Sequence, residues 1–434
     1  MSRITGLLAI YLLVLSCSNN INDSYLTYEG AGWYFDHIRE LCERDAGALW
    51  GSNLYGPLML VDQQTRFVVA NSPDAEDMLR QRNGVYTGFF PRERLINVVP
   101  TEYGGTIFAM VPLPSGEDTL RIITRALHSL VHLEQRERGL EPPPYNNRHM
   151  REDDARMWLK LEWRALARAI RSSDERRVVA IRDALIFRGA RHQAYPSSQK
   201  DEVRFENFEG MALYTYEKLL SESDNAFKGR LLELLNRHYR LNSFSDSFGF
   251  INGALYTYLL TEMGFTPSML DDIGADLGAL TATMYDISIP ETPRDIAGSI
   301  ALNYNIDRIV EEEAARERRR QEIIERELSQ FTTRPVLYFD LESPSFSFEP
   351  DDPNTLDTLG TIYTNLRVSD TWGKLTVTGG GCLVLHNLKE MRVSAGSIRI
   401  RNNSVTGNGW SLHLNDRWGV TKEDNNYYLR MGIP

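Results

Sequence analysis

Apolar residues recur at three- and four-residue steps through positions 119–139, TLRIITRALHSLVHLEQRERG, where Leu120, Ile123, Leu127, Leu130, Val131 and Leu133 make one stripe. That period predicts a helix. Gly139 ends it, and Pro142, Pro143 and Pro144 forbid a restart. The same period predicts helices over 26–46, 158–171, 177–191, 227–241, 250–263 and 271–285, and oppositely charged residues three or four apart support one over 303–330. Before the central helix, short apolar runs read as strands: 57–61 and 66–70 joined by the turn 62–65, then 85–91, 95–99 and 106–111. After Pro335 come short alternating runs broken by Gly, Asn and Asp, the texture of a sandwich-like all-β module of about 100 residues. The chain therefore reads as α+β. A small antiparallel sheet opens a mostly helical body over 25–302, a charged helix or spacer covers 303–330, and a β domain fills 331–434.

The first residues, MSRITGLLAIYLLVLSCSNN, stand apart. Arg3 precedes an apolar run over 4–15 that is shorter than the ~20 residues a bilayer span needs. It reads as a signal peptide. Val14-Leu15-Ser16-Cys17 resembles a bacterial lipobox, which implies that Cys17 is lipidated and begins the mature protein. Residues 18–24 would be a tether, and the body would be anchored to a membrane without crossing it. The implied location is the bacterial cell envelope, the outer membrane ahead of the inner. A plain secretory signal cut nearby is the alternative.

Composition adds two constraints. A hydrophobic content of 42% over 434 residues is ample for a core, and the net charge of -11 argues against a nucleic-acid partner. Of three cysteines, Cys42 and Cys382 remain once Cys17 is lipidated. They fall in different proposed domains and read as free buried thiols.

Candidate chemistry concentrates in the central helix. His128 and His132 stand at i and i+4, on one helix face. Both imidazoles can therefore converge on one cation, as in an H-E-x-x-H zinc site. Two half-buried core histidines fit the same spacing. The second motif position is Ser129 where that motif has Glu.

Several runs carry a wider resemblance: GALWGSNLYGPLMLVD, MWLKLEWRALARAIRSS, IRDALIFRGARHQAYP, FEGMALYT, LRVSDTWGKLTVTGGG and GWSLHLNDRWG. Over essentially the whole mature chain they resemble a family of bacterial envelope proteins with an H-E-x-x-H helix and an N-E-G-L-A-E-Y-T stretch, similar to gluzincin-type zinc metallopeptidases. The resemblance implies a zincin-like fold and Zn²⁺ as cofactor. It implies a second ligand helix over 206–218, where Glu209-Gly210-Met211-Ala212 has the matching form. His128, His132 and Glu209 would then hold the metal, and Tyr256, followed by His238, would be the candidate oxyanion donors from later helices. A core tyrosine with a satisfied hydroxyl fits Tyr256 equally. The chain departs from the pattern at Ser129, at Phe208 (Asn in the family) and at Leu213 (Glu in the family).

Ser129 occupies the position of the general base, and a serine hydroxyl neither takes nor holds a proton near neutral pH. Glu134 points to another face, and Glu206 is nearer. Three readings follow. The chain is a zinc-binding pseudopeptidase with a peptide or envelope-protein partner, a hydrolase with a relocated base, or a metal-free structural protein. Glu162 and Arg164 read as members of solvated helix faces, and His149 and His192 as spare ligands. Trp372, Trp410 and Trp418 read as core, or as contacts for a glycan or partner.

Overall fold

A computed structural model describes residues 27–432, apart from 93, 95, 114–117, 242, 349–352 and 357–358. The proposed signal peptide, Cys17 and the tether lie outside the described residues. The chain divides into two compact units, Met1–Glu313 and Ala314–Pro434. The first combines a small sheet with a helical body, and the second is mostly β, so the chain is α+β. Among the described residues no helix is long and apolar enough to cross a membrane.

The first unit begins with α1 (Tyr28–Asp45), whose cap Thr27 accepts the Gly30 N–H through its hydroxyl. Six strands follow: β1 (Leu58–Asp62), β2 (Phe67–Ala70), β3 (Arg80–Arg82), β4 (Val85–Phe89), β5 (Pro100–Tyr103) and β6 (Thr106–Leu113). They form one sheet in the order β3-β4-β2-β1-β6-β5. The sheet is mixed, not antiparallel throughout, because β6 lies parallel to β1. Leu58, Leu60, Val69 and Val111 join the main helical core, whereas Met59, Val61, Val68 and Met110 pack into a second cluster. A strand buried on both faces reads as an unbroken apolar run, as these do. No strand forms over the described part of 95–99. Arg66 donates to the carbonyls of Phe90, Pro91 and Arg94 and folds that stretch around its guanidinium.

The helical body consists of α2 (Thr119–Glu137), α3 (Asp153–Arg171), α4 (Asp174–Ala194), α5 (Gln199–Phe205), α6 (Met211–Leu220), α7 (Asp224–His238), α8 (Phe248–Thr261), α9 (Leu277–Met284) and α10 (Pro293–Ala301). A long helix, α11 (Ile306–Thr332), runs on from it. The helix expected over 271–285 starts later. Asp272 accepts the Gly274 N–H in a turn, and Asp276 caps α9 by accepting the Gly278 and Ala279 N–H groups. The charged start of α11 is not wholly solvated. Glu313 is buried and accepts from Arg156 at 2.6 Å, with the Lys160 ammonium also 2.6 Å away.

In the second unit eleven strands share one hydrogen-bonded, nearly closed barrel-like sheet, where a sandwich was expected. Its longest strand, Gly373–Leu385, pairs with Gly360–Asp370 along one edge. On its other edge it pairs first with Trp410–Leu414 and then with Glu390–Ser394. The switch falls at Gly379-Gly380-Gly381, where the first and third have φ of 77° and 76°. A Cβ on Gly380 would stand 2.3 Å from the Asn408 carbonyl oxygen. Glycine is therefore required for this bend. Trp372 and Trp410 are core residues, each donating its indole N–H to a backbone carbonyl, of Asp340 and Ser394 respectively. Cys42 and Cys382 are buried free thiols.

Truncating Glu313 to Ala leaves Arg156 and Lys160 buried with a charge deficit. Removal of one partner from a buried ion pair costs about 3–5 kcal/mol. Glu313→Ala is expected to lower the stability of the first unit by about that amount in denaturant unfolding, and Glu313→Gln by less.

Candidate metal centre

The site is assembled from two helical segments. α2 is capped by Asp118, which accepts the Leu120 N–H at 3.2 Å. At its other end Arg138 donates to Glu134 at 2.7 Å and to the Trp50 carbonyl. These ties fix the helix that carries His128, Ser129 and His132.

The second segment is not the single α-helix expected over 206–218. α5 and α6 are joined by a π turn, Glu206–Gly210. A π turn takes more residues per revolution than an α turn. The three-residue step from Glu206 to Glu209 thus covers less rotation, and the two carboxylates part instead of sharing a face. Each residue of the turn has its own contact. Glu206 receives both arms of Arg188 at 2.7 Å and the Asn252 amide at 2.6 Å. Asn207 donates to the carbonyls of Ile273 and Ala275 at 2.8 and 2.7 Å. The Phe208 ring stacks on His132 with centroids 4.0 Å apart. Gly210 lies so close to α8 that a Cβ there would stand 2.5 Å from the Gly253 Cα.

Glu209 is turned toward the histidines. His128 Nε2 and Glu209 Oε2 are 2.9 Å apart, His132 Nε2 and His128 Nε2 2.9 Å, and His132 Nε2 and Glu209 Oε2 3.4 Å. Burial pushes the Glu209 carboxyl up, but the adjoining His128 and His132 outweigh it and hold it at about 2. Burial first, and His132 second, lower His128 below the ordinary imidazole range. At neutral pH Glu209 is thus a carboxylate, and the His128 imidazole beside it is neutral.

A further contact assigns the tautomer of His132. Gln135 Nε2 donates to the Phe208 carbonyl at 3.0 Å and the Asn207 carbonyl at 3.4 Å. Its Oε1 is then the atom that meets His132 Nδ1 at 2.7 Å. An amide oxygen only accepts, so Nδ1 carries the proton and Nε2 presents a lone pair. This is the arrangement by which outer partners orient metal-binding histidines.

Three ligand atoms from His128, His132 and Glu209 thus lie within 4.8 Å of one another and could hold a metal ion. The donor set fits. Ligands at about 2.0–2.1 Å from a tetrahedral ion are roughly 3.4 Å apart, so the observed spacings need to open by about half an ångström or less. One shared proton serves three converging acceptors poorly, and a cation serves them all.

The structure places the other candidates elsewhere. Tyr256 is fully buried and donates to Glu162 Oε1 at 2.8 Å. His238 Nδ1 bonds the Leu234 carbonyl of its own helix at 2.9 Å. Glu134 accepts from Ser52 and Arg138. Glu206, once the nearer stand-in for the missing base, is committed to Arg188. Ser129 is completely enclosed, and its Oγ has no hydrogen-bond partner. Glu162, expected on a solvated face, is wholly buried against Arg191, Asn252 and Tyr256. His149 and His192 both bind Glu202, at 2.6 and 3.1 Å.

Residues beyond the sequence reading surround the triad. Tyr216 and Phe250 lie 5.9 and 6.1 Å from the His128 ring, centroid to centroid. Burial raises the Tyr216 hydroxyl above its ordinary pKa, helped by Glu217 and Glu209. Burial and then Glu209 do the same for Tyr145. Both phenols therefore keep their protons and remain donors. The available signals were Gln135 at i+3 from His132 and Tyr216 at i+7 from Glu209.

The turn predicts how the site can be damaged from behind. A Cβ on Gly253 would stand 2.1 Å from the Glu206 carbonyl oxygen, although alanine favours a helix interior. Gly253→Ala is expected to displace the turn and weaken metal binding roughly 10- to 100-fold with helical content kept. Chelator competition beside circular dichroism measures both. Unchanged affinity in the folded variant would show that the turn does not set Glu209.

Compared with protein-family models, with curated proteins and with solved structures, the chain matches none.

Proposed function

We propose that this chain is a lipid-anchored protein of the bacterial envelope whose helical unit is a zincin-like, zinc-binding peptidase relative that binds peptide and cleaves it poorly or not at all. The observation that carries the reading is the convergence of His128, His132 and Glu209, with His132 locked by Gln135 to present Nε2. Two nitrogens and one carboxylate make a three-ligand zinc set with room for a fourth group. When bound, zinc supplies a Lewis acid beside the substrate.

The chain's own groups explain the loss of hydrolysis. A base must take a proton and return it to the leaving amine. Ser129 has no such capacity, Glu134 is tied to Arg138, and Glu206 is tied to Arg188. Tyr145 and Tyr216 keep their protons and can donate to a peptide carbonyl, but cannot act as the base. Loss of a general base costs about 10²–10⁴-fold in rate. The lipobox pattern Val14–Cys17 supports anchoring, and the acidic balance supports a partner other than nucleic acid.

Three experiments test this reading. Purified protein is expected to carry about one zinc per chain, lost in the His128→Ala/His132→Ala double variant. Ser129→Glu, or Ser129→Asp if the longer side chain does not fit, is expected to raise chelator-sensitive peptide hydrolysis above a near-zero wild type. Robust wild-type hydrolysis abolished by chelation would place the base elsewhere. For the anchor, Cys17→Ala is expected to move the protein from the membrane to the soluble fraction, and continued sedimentation with washed membranes would reject lipidation.

A further inference from the structure

We infer that the open face of the sheet in the second unit binds an acidic polysaccharide. Strand register sets this face. Across six strands, Arg399, Thr406, Ser411, Thr376, Arg367 and Ser347 stand opposite one another in turn and make one row. Two residues along each strand, a second row holds Arg401, His413 and Lys374, and its other three positions are serines. Side chains two apart share a face. The positions between the rows, Val405, Leu412, Leu375 and Val368, point the other way and are buried in the core. Both rows face solvent, with Thr376 alone half-buried. Neither row contains an acidic or an aromatic residue.

Solubility does not ask for such a face. The chain has a net charge of -11, and a solvated surface intersperses both signs. Here Arg399 and Arg401 share one face of one strand, about 7 Å apart, and His413 lies directly opposite Lys374. Like charges held side by side destabilise a sheet. Among the described residues none of Arg367, Lys374, Arg399 and Arg401 is in an ion pair. Asp370, past the end of the second row, accepts the backbone N–H groups of Glu342, Ser343 and Thr371. Glu342 and Asp416 lie in the turns beyond the strands. A polyanion from outside supplies the missing charge.

Spacing and side-chain chemistry choose among polyanions. Neighbouring strands are about 4.8 Å apart, so Arg401 and Lys374 are separated by roughly 14 Å and Arg399 and Arg367 by roughly 19 Å. A small anion meets one of them, whereas a chain crossing the strands meets several and gains from each. Serine and threonine hydroxyls stand between the cations and both donate and accept. Sugar hydroxyls do the same, while the phosphates of nucleic acid and lipid only accept. Without aromatic side chains the face has no platform for bases, and without apolar ones it has nothing to insert into a bilayer.

The test measures binding of the full chain to labelled dextran sulfate and polygalacturonate at increasing salt, with neutral dextran as reference. At least one acidic polymer is expected to bind, with affinity that falls as salt rises, and dextran is not. Arg399→Gln/Arg401→Gln is expected to weaken binding roughly 3- to 30-fold. Arg80→Gln/Arg82→Gln, the same charge change on the exposed strand β3 of the first unit, should leave it unchanged. Equal losses in the two variants would make the attraction a matter of total charge and overturn the assignment. So would binding to neither acidic polymer at low salt, or tighter binding through Arg399 and Arg401 to duplex DNA or to phosphatidylglycerol vesicles. Each of these failures leaves the metal reading standing, because that reading uses no residue of the second unit.

Discussion

The site depends on a charge pair that never touches it. Arg188 and Glu206 are both enclosed, and neither could be buried alone without a large desolvation cost. Their two parallel hydrogen bonds couple α4 to the π turn, and Asn252 and Asp276 extend the grip to α8 and the cap of α9. The charges must remain together, so the turn has one position open to it, and Glu209 is carried there. Such networks are weak sources of stability but strong sources of geometry. Here the geometry is what a three-ligand centre requires.

Much of the fold was legible because period reveals structure. The stripe through 119–139 sets both the helix and the shared face of His128 and His132, since an i, i+4 relation is local. Glu209 was legible only through the resemblance, whose E-G-x-A form it matches, and Gly210 does meet α8 closely. The π turn has no periodic signature, so Glu206 remained a plausible base until its partner was seen. For Tyr256 the choice between oxyanion donor and core tyrosine stayed open for a related reason. A phenol in an apolar helix declares that it needs an acceptor and not which one, and Glu162 lies 94 positions away in the chain. The buried acids and arginines of α3 and α4 were read as solvent-facing because amphipathic patterns do not separate water from a second buried polar layer.

The second unit makes a similar point about backbone. Alternation identified its strands, but alternation is common to sandwiches and barrels. The architecture was decided by three consecutive glycines, at which one long strand exchanges partners and turns the sheet on itself. Trp372 and Trp410 then close the interior, and Trp418 is half-buried at its margin.

The π turn also says how such a centre can be gained or lost. It holds about one residue more than an α-helical path between the same ends would need. Deleting a single residue from 206–210 would let the ladder run unbroken from α5 into α6, with the flanking helices still presenting their apolar faces inward. Glu209 would swing away from the histidines while the core stayed filled. The ligand set is therefore separable from the fold by one codon, and a lineage could shed or acquire this chemistry without passing through an unfolded intermediate.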